Sequence, residues 1–148
     1  MGKGGRPYLN ISKAKQELDR VRNALAEYEN LIDEQETLRA KIIYKGINLK
    51  ERTSGGARLD MGDGVTELVN LTAHIERSLD RWAKNYATAQ ETINGIEDSI
   101  YRQVLRSYYL DGKNLSAIAY QLQYTKGHIK KLKREALKAY ASVMLKRR

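Results

Sequence analysis

Between Lys126 and the C-terminus the chain carries nine Lys or Arg residues: Lys126, Lys130, Lys131, Lys133, Arg134, Lys138, Lys146, Arg147 and Arg148. Glu135 is the only acid among them, which leaves a local charge of +8 out of a net +9. Like charges three and four residues apart on a helix repel, so such a segment is favoured when an anion lies against it. The chemistry on offer is charge-assisted hydrogen bonding to phosphate. Other chemistries lack their residues. There is no cysteine, and the two histidines, His74 and His128, stand far apart, so no metal site is expected. No nucleophile and base, paired carboxylates or phosphate loop can be read, so the expectation is no catalytic residue and no cofactor.

The elements around the basic segment must hold it in place. Ile118, Ala119 and Leu122 give a short buried face, Tyr124 closes a turn, and Ile129 and Leu132 give the buried face of a last helix. That spacing predicts a helix-turn-helix, with the small Ala119 at the close crossing and Thr125 as N-cap of the recognition helix. With Ile129, Leu132, Ala136 and Tyr140 inward, Lys126, His128, Lys130, Lys131, Lys133 and Arg134 turn outward, towards a phosphate backbone and groove edges. Lys138 and the terminal Lys146, Arg147 and Arg148 trail towards phosphates. Gly127 either allows close backbone approach or is simply tolerated. The predicted DNA-binding set is Thr125, Lys126, Gly127, His128, Lys130, Lys131, Lys133, Arg134 and Lys138, and the predicted partner is double-stranded DNA.

Upstream, Asn94-Gly95 interrupts helix propensity, and Asp98 is placed to cap a helix through "SIYRQVLRSYYL". Beyond the single proline, Pro7, two long heptad patterns run. The first holds Leu18, Val21, Leu25, Tyr28 and Ile32, widened by Leu31, Leu38 and Ile42. The second holds Val65, Leu68, Thr72, Ile75, Leu79, Trp82, Tyr86, Ala89, Ile93 and Ile96. Between them lies a glycine-rich stretch, 45–63, which predicts a loop; its "DMGDG" reads as a capped turn, since the ligand alternation of a calcium loop is missing. Two such stripes predict an antiparallel helical hairpin. Trp82 is expected in the seam and His74 beside it.

The whole is expected to be all-α: a flexible basic arm over 1–9, a coiled-coil hairpin over 10–95, and a DNA-binding domain over 96–148. A two-helix hairpin alone buries little, so a homodimer through the coiled coil is expected. No apolar run approaches the roughly 20 residues of a membrane span, "MGKGGRPY" lacks a signal core, and Arg6 spoils a myristoylation motif. A cytoplasmic protein without membrane contact is predicted.

The stretch "IYRQVLRSYYLDGKNLSAIAYQLQYTKGHIKKLKREAL" resembles the fourth conserved region of bacterial sigma factors at Arg102, Leu105, Tyr109, Gly112, Ile118, Ala119, Leu122 and Thr125. The whole layout is similar to the ArpU/RinA-like phage transcriptional regulators, which are small sigma-like activators. That resemblance implies a phage-encoded activator of late genes acting in a bacterial host cell, in cooperation with host RNA polymerase. Gln123 stands where such turns often hold glycine, so a left-handed residue there would carry strain of about 1 kcal/mol. Lysine outnumbers arginine on the recognition helix, so sequence discrimination is expected to be modest or to draw on DNA shape. No promoter-melting domain is visible. The alternative is a DNA-packaging component, a small terminase-like oligomer, which also joins a helix-turn-helix to an oligomerising coiled coil.

Overall fold

The computed structural model describes residues 10–51 and 61–147. All regular structure among them is helical, as the heptads and short apolar faces predict: α1 (Ile11–Glu51), α2 (Met61–Asn94), α3 (Ser99–Leu105), α4 (Leu115–Leu122) and α5 (Lys126–Lys146). A π-helical turn, Arg106–Leu110, continues α3. The expected basic arm over 1–9 lies outside the described residues. No described helix is long and apolar enough to cross a membrane.

The chain divides into two compact units, one of Met1–Leu25 with Trp82–Arg148 and one of Ala26–Arg81. The expected boundary at 95/96 falls inside the first of these units. In the first unit, Ala14, Leu18 and Val21 of α1 and Ala89 and Ile93 of α2 share one buried cluster with Leu105, Tyr109, Leu137 and Tyr140. The first turns of α1 and the last of α2 therefore complete the core of the C-terminal helices. The hydrophobic effect rewards that merger, because three short helices alone leave Leu137 and Tyr140 without enough cover. Asn10 starts α1 by accepting from Lys13 N at 2.9 Å, and Asp98 caps α3 by accepting from Ile100 N at 2.8 Å and Tyr101 N at 3.2 Å. Trp82 belongs to this unit and is only partly buried against the cluster, its ring 5.1 Å from that of Tyr86. Its indole Nε1 is buried with no partner among the described residues.

The second unit is an antiparallel hairpin. Arg81 pairs with Glu27 at 2.8 Å, Gln35 donates to Thr72 Oγ1 at 3.1 Å, and Gly64 lies against Ile42. One partner climbs in number as the other falls. A Cβ on Gly64 would sit 3.1 Å from Ile42 Cγ1, so the glycine serves close helix approach and does not mark a loop. The expected loop 45–63 narrows accordingly: α1 runs through Gly46 to Glu51 and α2 begins at Met61, while 52–60 lie outside the described residues.

The hairpin seam also departs from the predicted heptad. Ile75 is buried as expected, yet Leu79 is 41% and Val65 49% exposed, and Ser78 fills the seam instead. A 3.6-residue turn drifts against a seven-residue repeat, and the small Ser78 accommodates that drift at the cost of a hydroxyl without a partner among the described residues. His74 is exposed, as its place beside the seam predicts.

Candidate nucleic-acid interface

The helix-turn-helix follows from local caps. The π-helical turn ends with Asp111 N donating to Arg106 O at 2.8 Å, and Gly112, at φ +75°, supplies the left-handed step that a side chain would resist. Asn114 then caps α4 by accepting from Ala117 N at 2.8 Å. Gln123 ends α4 in the left-handed region (φ 61°, ψ 41°), as its replacement of glycine anticipated, and Tyr124 N donates to Ala119 O at 2.9 Å. Thr125 Oγ1 accepts from His128 N at 3.1 Å, making it the predicted N-cap of α5. Ile118, Ala119 and Ile129 close a small dry cluster that fixes α5 against α4.

On this frame Lys126, Gly127, His128, Lys130, Lys131 and Arg134 are all exposed, together with the cap Thr125. None of the four cations among them has an ion-pair partner among the described residues. A Cβ on Gly127 would meet nothing within 4 Å, so the space beside it is open. The His128 ring meets the Tyr124 ring edge-on at 4.6 Å, which stiffens the start of α5. Lys138 pairs with Glu135 at 3.4 Å, a surface contact worth little, so it remains free to exchange partners.

Two residues expected at phosphates also have partners within the protein. Lys133 is only partly exposed, and its ammonium sits 4.2 Å from the centroid of the Tyr108 ring, because the helical twist carries position 133 back over the α3 segment. Arg147 is drawn into the first unit, where it donates to both carboxylate oxygens of Glu17, at 2.8 and 2.9 Å, and to Thr92 Oγ1 at 2.8 Å. Tyr140 donates to the same carboxylate. Burial alone would raise the Glu17 pKa, but the hydrogen bonds from Arg147 and Tyr140 outweigh it and hold the carboxyl below its ordinary range. Burial and that same bond push the Tyr140 hydroxyl up. Lys146 is exposed, and Arg148 lies outside the described residues.

Sequence reasoning also missed residues. Tyr120 is 88% exposed on α4, an aromatic that counting buried positions passes over. Arg22 donates through Nη1 to Tyr108 O and to Lys113 O, and its guanidinium lies 4.0 Å from the Tyr108 ring centroid. Eighty-six residues separate Arg22 from Tyr108, and no local pattern signals such a contact.

The frame that carries this surface coincides with a recognised sequence unit. The model of the family described as "Protein of unknown function (DUF1492)" matches residues 44–141. The chain belongs to this family. The matched span takes in all of α2 to α4 and most of α5, including the predicted DNA-binding set from Thr125 to Lys138. No curated protein and no solved structure gives a match. The family description carries no activity, so function has to be argued from the residues. Among the described residues no group of three or more His, Asp or Glu is arranged to hold a metal ion.

Proposed function

We propose that this chain is a double-stranded DNA-binding transcriptional regulator, a phage-encoded activator of late genes that works with host RNA polymerase in the bacterial cytoplasm. One observation carries the DNA-binding part. Lys126, Lys130, Lys131 and Arg134 project, without an ion-pair partner among the described residues, from the first turns of a helix that a left-handed turn and a threonine cap hold against α4. Such a helix fits the major groove with its N-terminal residues at base edges, and its cations offset phosphate charge. Activation and polymerase contact rest on the resemblance to sigma region 4 and to the ArpU/RinA-like regulators. A genome-wide footprint of the tagged protein in its host tests all of this together: discrete peaks at late promoters are expected, and uniform coverage would refute regulation.

A packaging role is the second reading, favoured by one feature. The hairpin exposes Ile43 (63%), Val65 (49%) and Val69 (61%), and it buries only Ile75 and Ser78 among its described residues. A hairpin with so little core gains from self-association. Under the regulator reading we expect this apolar surface to close a homodimer; under the packaging reading it would join many copies. Mass measured in solution discriminates: a dimer fits the regulator, and a ring of many subunits fits packaging.

A further inference from the structure

A cleft of about 410 Å³ opens beside the recognition helix, lined by Arg22, Tyr108, Asn114, Leu115, Ser116 and Lys126. Two of its walls are cationic and none is acidic. Arg22 comes from α1, more than a hundred residues away from Lys126 at the first position of α5. Its guanidinium is held on one side by Tyr108 O and Lys113 O and on one face by the Tyr108 ring. Both carbonyls bind Nη1, so Nε and Nη2, which donate to no acceptor among the described residues, are left as a fixed fork. Lys133 adds a second cation on the same ring, at 4.2 Å. Two cations over one tyrosine, with Lys126 on the same cleft, repel unless an anion enters, and a fixed guanidinium fork matches two oxygens of a phosphate. The Ser116 hydroxyl, exposed and unbonded among the described residues, stands ready as a further donor.

We infer that this cleft seats a backbone phosphate of the bound duplex, gripped by Arg22, Ser116 and Lys126, so that α1 takes a direct part in DNA contact. The inference rests on the proposed DNA-binding function and adds a residue from outside the helix-turn-helix. Entry of the phosphodiester beside Lys126 would fix where α5 sits along the groove, since phosphate contacts set register.

The full chain is titrated against a labelled duplex by fluorescence anisotropy at stepped salt. Ser116→Asp puts a carboxylate in the cleft at the second position of α4, where an acid suits the helix, so folding is retained. It is expected to weaken binding by about tenfold or more. Arg22→Gln, checked for folding by circular dichroism, is expected to make the log–log salt slope less negative by about 0.9, one phosphate's share. Folded Ser116→Asp protein with unchanged affinity and slope would overturn the cleft, even if Arg22→Gln failed to fold. Loss on Lys130→Ala alongside that result would leave DNA binding standing without it. A wild-type chain that binds no duplex would remove both.

Discussion

Gln123 offers a quantitative test of how the turn is built. Its backbone occupies the left-handed region at φ 61°, and it is the one described non-glycine residue with positive φ. For a residue with a Cβ this conformation costs roughly 1–2 kcal/mol. Its side chain is exposed and makes no hydrogen bond among the described residues, so removing it loses no contact. Glycine relieves the strain but loses roughly 0.5–1 kcal/mol more backbone entropy on folding. Gln123→Gly should therefore stabilise the protein by about 0.5–1 kcal/mol. Gln123→Ala keeps the Cβ and should gain nothing. Urea unfolding of the three proteins, with equal slopes, reads the difference as a higher midpoint for glycine alone. An alanine variant as stable as the glycine one, or a glycine variant less stable than wild type, would refute the strain account.

Two further outcomes follow from the ion pairs and the hairpin. Glu17 has its pKa lowered below the ordinary 4.5, so its bonds to Arg147 and Tyr140 stabilise fully above that value and weaken as pH falls through the lowered one. Glu17→Gln should narrow the stability gap to wild type as the pH is taken from neutral to about 3, and a gap constant over that range would contradict the assignment. On the hairpin, Ile43→Lys with Val69→Lys places charge on the exposed apolar surface and should shift the solution mass from dimer to monomer. An unchanged mass would show that this surface is not the interface.

Local signals in the sequence were enough to place most of the helix-turn-helix. Asp98, Thr125 and the apolar pairs Ile118–Ala119 and Ile129–Tyr140 act within a few residues of themselves, through caps and one helical face, and the structure uses them as their spacing predicts. The hairpin was legible in direction but not in detail. Apolar counting put Leu79 in the seam and overlooked Ser78, because a small polar residue gives no periodic signal yet fits where helices approach closely. Gly46, Gly62 and Gly64 look like loop residues, yet they are helical here, with Gly64 serving close packing. Contacts made across the chain were hidden altogether. Arg22 on Tyr108, and Arg147 on Glu17, depend on which helix ends meet, and so does the internal partner of Lys133, a residue expected at a phosphate.

The most direct test of the central claim is the salt dependence of binding by the wild-type chain to a duplex from a footprinted promoter. Lys126, Lys130, Lys131 and Arg134 are the exposed cations at the start of α5 that have no ion-pair partner among the described residues. At about 0.9 per neutralised phosphate they predict a log–log slope of roughly −3.5, steepening to about −4.5 if Arg22 also engages. A slope near zero, or tight binding that salt does not weaken, would contradict DNA recognition through this helix.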